Sequence, residues 1–139
     1  MASLSDRLGV AVMADESMHT PHDAQRLVTE RAADLLAVKV AKCGGLSAVQ
    51  RIAAIAETNG IGCHGGTTIE TSIGTSASAQ LFAALPAVSA GCELFGPLLL
   101  ADDVVIDPVK YCDGSVLPPS GPGLGVELDA DKVRAFARP

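Results

Sequence analysis

Four short apolar runs recur along the chain at nearly constant spacing, and helix-like stretches separate them. The runs cover residues 10–13, 35–40, 61–63 and 88–92, and their first residues lie 25, 26 and 27 positions apart. This distance is the length of one strand–helix unit, and successive units of this kind form a parallel sheet. The spacing therefore predicts an α/β fold, either an open doubly wound sheet or half of a (β/α)8 barrel.

The stretches between the runs carry helix signals. Thr20 and Pro21 place a cap and a proline at a first turn, and this helix is predicted to run to about residue 33. Ser47 is the expected cap of a second helix that ends at residues 59–60. A third helix is expected to start at Ser72 or Thr75 and to run to residue 85.

The pattern changes after residue 97. Residues 111–117 read as a hairpin, residues 118–125 as an extended loop and residues 129–137 as a terminal helix. We therefore divide the chain into a half-barrel of four strand–helix units over residues 1–97 and a C-terminal tail over residues 98–139.

Composition favours the half-barrel over the open sheet. Hydrophobic residues make up 48% of the chain and aromatic residues only 3%, which is typical of parallel aliphatic strands covered by Ala-rich helices. A half-barrel leaves both outer strands with free edges. We therefore expect the chain to pair with a missing N-terminal half or with another copy of itself, as a homo-oligomer.

Charge, hydropathy and cysteine spacing exclude several classes of protein. The formal net charge of −6 argues against a nucleic-acid partner. The apolar runs are far shorter than the roughly 20 residues of a membrane span, and the first residues lack a signal-peptide pattern. We therefore expect a cytoplasmic protein without a membrane partner. The four cysteines have no CxxC spacing, so small buried thiols are favoured over a disulfide framework and over a zinc site at Cys63 and His64.

Polar residues stand where the predicted strands end, which is the edge that carries the chemistry in parallel-sheet enzymes. Asp15 and Glu16 close the first run, and Glu93 closes the fourth. Lys39 lies inside the second run, where strand alternation directs it into the barrel mouth. A charge in that position is costly unless a carboxylate or a function compensates, so a site lysine is favoured over a purely structural one. Two carboxylates opposite it suggest a hard cation, Mg²⁺ or Mn²⁺.

The third run leads into a glycine-rich loop, Gly65-Gly66-Thr67-Thr68, which is followed by Glu70. Such a loop before a helix suits an anion, and a phosphate-binding barrel of another superfamily is a distant alternative. Lys42 is expected to be a solvated loop lysine.

Together these positions resemble the muconate-lactonizing subgroup of the enolase superfamily. The similarity runs over nearly the whole chain and includes Met-Ala-Asp-Glu-Ser at residues 13–17, Val-Lys-Val-Ala-Lys at residues 38–42 and Glu-Leu-Phe-Gly-Pro-Leu-Leu-Leu at residues 93–100. The first two motifs are shared by the wider superfamily, and the third looks specific to muconate and chloromuconate cycloisomerases. The resemblance implies strands five to eight of a TIM-type barrel.

The resemblance also implies roles for individual residues. Asp15 is then a ligand of Mn²⁺ or Mg²⁺, Lys39 and Glu93 are catalytic, and Thr67 and Glu70 bind the substrate. The resemblance further implies that the substrate is a small dicarboxylate, cis,cis-muconate. In enzymes of this subgroup one carboxylate adds to the diene, an enolate-like intermediate forms, and protonation by a lysine gives muconolactone.

The chain departs from the family pattern in three ways. Only one of the family's three metal-ligand acids is matched, no Lys-x-Lys pair occurs, and the capping domain has no counterpart. We therefore expect a fragment that is inactive without an N-terminal half. Two alternatives stay open. One is a racemase, dipeptide epimerase or succinylbenzoate synthase of the same superfamily, and the other is a non-catalytic half-barrel that assembles with itself.

Overall fold

A parallel three-stranded sheet forms the centre of the protein in a computed structural model that describes residue 4 and residues 6–137. The strands are β1 (Met13–Ala14), β2 (Leu35–Val38) and β3 (Gly62–Gly65), and they lie in sequence order across the sheet. Parallel neighbours in sequence order require a crossover helix between each pair. This is the arrangement that the repeated spacing of apolar runs predicts.

The connecting helices are α1 (Pro21–Thr29) and α2 (Leu46–Thr58), and α3 (Ser72–Ala84) follows β3. Helix α1 begins where the sequence predicts, in a reciprocal capping box. The Asp23 backbone N–H donates to Thr20 Oγ1 at 3.1 Å, and the Thr20 backbone N–H donates to the Asp23 carboxylate at 2.9 Å. Two otherwise unpaired donors of the first turn are thereby satisfied.

Two helix ends differ from the prediction. Helix α1 stops at Thr29 because Arg31 takes a left-handed conformation with φ of 48°, and the Ala32 N–H donates to the Leu27 carbonyl at 2.8 Å. The chain therefore turns towards β2 four residues before the expected end. Helix α2 starts after Gly45, so Ser47 lies inside its first turn and is not the cap.

The fourth apolar run, residues 88–92, does not form a regular strand. Its segment runs beside β3, where the Glu93 N–H donates to the Gly65 carbonyl at 2.8 Å. Only one parallel bridge results, between Gly65 and Cys92. Gly91, with φ of 76°, leaves the extended conformation and interrupts the ladder.

Side chains between the sheet and its helices form the core. The largest side chains without solvent exposure are Met18, Leu36, Val38, Val49 and Ile52. Two of the four cysteines, Cys43 and Cys63, are buried with them, whereas Cys92 and Cys112 are exposed. The expectation of four small buried thiols was therefore wrong for half of them, because the segments that carry the other two lie outside the core.

The C-terminal part adds a 3-10 turn (Gly96–Leu99), a hairpin of β4 (Lys110–Cys112) and β5 (Ser115–Leu117), and helix α4 (Ala130–Phe136). The hairpin forms at the predicted place, since Asp113 and Gly114 both have positive φ, as a type I′ turn requires. Helix α3 holds the following loop through Gln80, whose Nε2 donates to the Leu124 carbonyl at 2.9 Å. No helix in the described part of the chain has the length and apolar content to cross a membrane.

Burial predicts different reactivities for the four thiols. Burial, with the nearby Cys43 as a smaller cause, raises the pKa of Cys63 to about 11, so its thiolate is scarce near neutral pH. We expect iodoacetamide to label Cys112 and Cys92 in the native protein and to leave Cys43 and Cys63 unlabelled, with all four labelled in denaturant. Peptide mass spectrometry measures this, and native labelling of Cys63 at the rate of Cys112 would contradict the described core.

Candidate active site

The carboxyl ends of the parallel strands meet at one edge of the sheet. Asp15 follows β1 directly, and Lys39 follows β2 directly. Gly66 follows β3, and Glu93 follows the bridge at Cys92. Because these positions come from neighbouring strands, the fold brings together side chains that are 24 or more residues apart in sequence.

An ion pair joins the ends of β1 and β2. The Lys39 ammonium donates to Asp15 Oδ2 at 2.8 Å, and Glu16 Oε1 lies 3.7 Å from the same nitrogen. The Lys39 side chain is 12% exposed and that of Asp15 30%, whereas Glu16 is 82% exposed. Lys39 therefore pairs with acids across the strand ends, and Asp15 is its principal partner.

Electrostatics favour the charged forms of both partners. The hydrogen bond to Asp15 raises the pKa of Lys39 above its ordinary value; burial opposes this, and the charges of Asp15, Glu16 and Glu93 add to it. Burial alone would raise the pKa of Asp15, but the hydrogen bonds from Lys39 and Lys42 and the charges of these two lysines together leave that pKa below its ordinary value. Lys39 is thus an ammonium group held against a carboxylate.

Lys42 is not the solvated loop lysine that the sequence suggested. Its side chain is only 8% exposed, and its ammonium donates to Asp15 Oδ1 at 2.7 Å. The same nitrogen donates to the Asp15 carbonyl at 2.8 Å and to the Ala37 carbonyl at 3.1 Å. An ammonium group has three donors, so all three of its hydrogen bonds are made within the protein.

A tight turn after β2 explains why Lys42 folds back. The Cys43 N–H donates to the Lys39 carbonyl at 2.9 Å, and the Gly45 N–H donates to the Val40 carbonyl at 2.8 Å. Gly44 and Gly45 have φ of 87° and 108°, which side-chain-bearing residues rarely adopt. The Gly-Gly pair after Lys42 is the sequence signal for this turn, although it gives no direction for the side chain.

Gly66, the residue after β3, leaves space for the Lys39 side chain. A Cβ atom on Gly66 would lie 2.7 Å from Lys39 Cε and 2.9 Å from Cγ. The lysine stem therefore runs across the Gly66 backbone, and only glycine leaves that path open without a shift. Within the glycine-rich loop, Gly66 thus provides the space for the Lys39 side chain.

Thr67 and Glu70 contact each other in the loop between β3 and α3. The Thr67 hydroxyl donates to Glu70 Oε2, and it accepts the Ile69 N–H at 3.0 Å. Ile69 takes a left-handed φ of 63°, which is an outlier for a β-branched residue. Glu70 Oε1 is buried without a hydrogen-bond partner among the described residues. The Thr67–Glu70 hydrogen bond therefore closes this loop over a strained residue, Ile69, beside the strand ends.

Glu93 is exposed, and its charge contributes to the raised pKa of Lys39. It lies on a cavity of about 520 Å³ that Phe95, Leu98 and Tyr111 also line. The Tyr111 hydroxyl donates to the Leu94 carbonyl at 2.6 Å, so the hairpin is fixed to this segment. Glu93 therefore joins the two regions, since its charge acts on Lys39 and its side chain also borders this partly apolar cavity.

The donor set for a divalent cation is a single carboxylate. Within residue 4 and residues 6–137, no group of three or more His, Cys, Asp or Glu side chains is arranged to hold a metal ion. Asp15 has the oxygen chemistry that Mg²⁺ and Mn²⁺ prefer, but both of its carboxylate oxygens accept from ammonium groups. Each carboxylate oxygen has a second lone pair, so Asp15 can still offer one ligand of several to such an ion.

A family model for enolase C-terminal domain-like proteins matches residues 1–132. The chain belongs to this family. Muconate cycloisomerase 1 of Rhodococcus opacus is 49% identical over 138 residues, which are 99% of this chain and 37% of that protein. A chloromuconate cycloisomerase of Cupriavidus pinatubonensis is 45% identical over 135 residues, which are 97% of this chain and 36% of that protein.

Solved structures of such enzymes share the fold. The 2-chloromuconate cycloisomerase from Rhodococcus opacus has a TM-score of 0.96 at 47% identity, over 99% of this chain and 37% of that one. The muconate lactonizing enzyme from Pseudomonas putida has a TM-score of 0.95 at 47% identity, over 99% of this chain and 38% of that one. The predicted family and the C-terminal half of a TIM-type barrel are confirmed. The chain spans about 37% of the length of the relatives that it matches.

The close approach of Gly66 and Lys39 predicts a specific cost. We expect Gly66→Ala to displace the lysine stem and to destabilise the protein by about 1–3 kcal/mol, the usual range for overpacking a buried site. Gly9→Ala is the matched control, since its Cβ would meet nothing within 4 Å. Urea unfolding measures both variants.

A second background identifies the cause of that cost. In a Lys39→Ala chain, Gly66→Ala is expected to cost less because the atoms that it clashes with are absent. Equal costs in the two backgrounds would show that Gly66 does not position Lys39.

Proposed function

We propose that this chain supplies the Asp15, Lys39 and Glu93 part of an active site that converts cis,cis-muconate to muconolactone. One observation carries the proposal. A half-buried ammonium group, Lys39, is held by Asp15 at the strand ends of a half-barrel whose relatives are named muconate and chloromuconate cycloisomerases. The reaction itself is inferred from those relatives and from the resemblance of the motifs.

The proposed reaction places negative charge where this chain has positive charge. A carboxylate oxygen of the substrate forms a bond to a diene carbon, and the displaced π electrons move towards the second carboxylate as an enolate. We propose that a lysine of a segment outside this chain then gives a proton to the adjacent carbon and recovers one from solution, so the lactone is an isomer of the singly protonated substrate. The Lys39 ammonium stabilises the developing charge, and a pre-oriented cation in a partly buried site does this at little reorganisation cost.

Asp15 is the proposed ligand of a divalent cation, Mn²⁺ or Mg²⁺. A bound cation of this kind would supply further positive charge for the enolate. The contribution of this chain is to place one carboxylate oxygen at the end of β1 and to fix its direction through two lysines. The remaining ligands are proposed to come from a segment outside this chain.

Glu93, Thr67 and Glu70 complete the proposed site. Glu93 is exposed beside the lysine and lies on an apolar cavity wall, which suits an acid that faces the substrate. The Thr67 hydroxyl donates to Glu70, which fixes the loop between β3 and α3. We propose that these two residues bind the dicarboxylate substrate at the edge of the site. Lys39 and Lys42 are the cations at these strand ends, where a carboxylate group of the substrate could pair with them beside Asp15, Glu16 and Glu93.

Reconstitution tests the proposed activity. The chain alone is expected to give no lactone, and addition of the part of Rhodococcus opacus muconate cycloisomerase that precedes the matched region is expected to give turnover with Mn²⁺. Loss of the diene absorbance of cis,cis-muconate measures the reaction. The control is the same mixture with Lys39→Met, which removes the cation and keeps the length of the side chain.

Three results would count against this proposal. Turnover by the chain alone would contradict the incomplete site. A folded complex without lactone formation would contradict the activity. Exchange of an α-proton of N-acyl amino acids in deuterated water by that complex would favour a racemase or epimerase of the same superfamily.

We also propose that the chain associates with a second copy when no N-terminal half is present. The outer edge of β1 has no strand partner within the described residues, and Val10 and Met13 beside it are 70% and 42% exposed. Free edges and exposed apolar side chains favour pairing with another chain. This association would leave the chain without turnover and is the second candidate function.

The solution mass tests this association. We expect light scattering to give at least twice the monomer mass of 14.1 kDa. Met13→Lys is expected to reduce the measured mass because a charge blocks edge pairing, and Leu117→Lys on the hairpin is the matched control. A stable monomer over a wide concentration range would contradict self-association.

A further inference from the structure

We infer that Lys42 is a positioning residue that holds Asp15, and that the Lys39 ammonium takes its orientation mainly from Asp15. The inference rests on the proposed function in so far as it concerns catalysis. Its structural part depends only on the contacts of three side chains at the strand ends. Lys42 is a residue whose local sequence suggested no such role.

The two lysines contact Asp15 in different ways. Lys39 reaches only carboxylate oxygen Oδ2, at 2.8 Å. Lys42 reaches the other oxygen, Oδ1, and also the backbone carbonyl of Asp15, at 2.7 and 2.8 Å. Lys42 thus fixes both the backbone and the side chain of Asp15, whereas Lys39 depends on a carboxylate that Lys42 has already oriented.

The anchoring of Lys42 is independent of Lys39. Its third donor goes to the Ala37 carbonyl on β2 at 3.1 Å, so Lys42 links the end of β1 to the middle of its neighbour. Hydrogen bonds of the Gly44–Gly45 turn fix the backbone on the other side of it. Only 8% of the Lys42 side chain is exposed, so its ammonium group has little contact with water.

An asymmetry between the lysines follows. Without Lys42, Oδ1 loses its donor and the carboxylate is free to rotate, so the Lys39 ammonium loses its fixed acceptor. Without Lys39, Lys42 keeps two backbone carbonyls and one carboxylate oxygen. Lys42 therefore acts on the reaction through Asp15 and Lys39 and does not itself need to touch the substrate.

Nitrogen-detected NMR of the lysine ammonium groups tests this inference on the chain itself. Buried, hydrogen-bonded ammonium groups exchange protons slowly, so Lys39 and Lys42 are expected to give signals and the exposed Lys110 none. Lys42→Met is expected to shift and broaden the Lys39 signal, whereas Lys39→Met is expected to leave the Lys42 signal in place. Lys110→Met is the matched control and is expected to change neither signal.

Several outcomes would overturn the inference. An unobservable Lys42 ammonium in the unsubstituted chain would do so without any variant. An unchanged Lys39 signal in Lys42→Met, or loss of the Lys42 signal in Lys39→Met, would contradict the asymmetry. If Lys42→Met does not fold, Lys42→Arg replaces it. That variant keeps a cation beside Oδ1 and is expected to keep the Lys39 signal, and a folded Lys42→Arg chain without that signal would contradict the inference.

Catalysis provides a separate readout in the reconstituted enzyme. Lys42→Met is expected to lower kcat by about 10- to 100-fold, the usual effect of losing an outer-shell partner, with a smaller change in KM. Equal kcat values would contradict the positioning role. If the reconstituted protein has no cycloisomerase activity while the NMR asymmetry is present, the proposed function fails and the structural inference stands.

Discussion

A carboxylate held between two ammonium groups joins the ends of the first two strands of this protein. Asp15 accepts from Lys39 with one oxygen and from Lys42 with the other. Removal of one partner would leave a charge in this partly buried site without its counter-charge, which is unfavourable because water compensates it only in part. The three side chains therefore constrain the residues around them, since each neighbour must leave space for them or form hydrogen bonds with them.

Glycines provide that space. Gly66 lets the Lys39 stem pass the end of β3, and the left-handed Gly44 and Gly45 turn the chain so that Lys42 lies back over the end of β2. The hydrogen bond between Thr67 and Glu70 closes the loop beyond Gly66, in which Ile69 has a strained, left-handed backbone conformation. Strain of this kind is commonly found at functional sites, where the surrounding structure maintains it. The glycine-rich loop, which by sequence suits an anion, thus also gives space to the Lys39 side chain through Gly66.

Much of the fold was predictable from local sequence. Apolar runs at constant spacing located the three parallel strands, and Asp113-Gly114 located the hairpin, because strand periodicity and turn chemistry act over a few residues. The end of α1 and the fourth run were predicted less well. The left-handed residues Arg31 and Gly91 decide those two places. Arg31 carries no local signal for a helix end, unlike the Asn-Gly pair at residues 59–60 that ends α2.

In the candidate site, too, some features were predictable from local sequence and others depend on the tertiary structure. By itself the sequence determined that charged residues follow buried strands, and that Lys39 faces away from its valine neighbours, because strand alternation is a local rule. Only the tertiary structure decided that Asp15, rather than Glu16, is the main partner of Lys39, and that Lys42 is buried instead of solvated. A lysine has a long, flexible side chain whose direction depends on acceptors from other strands. Here those acceptors lie up to 27 residues away along the chain and become neighbours only when the parallel sheet has formed.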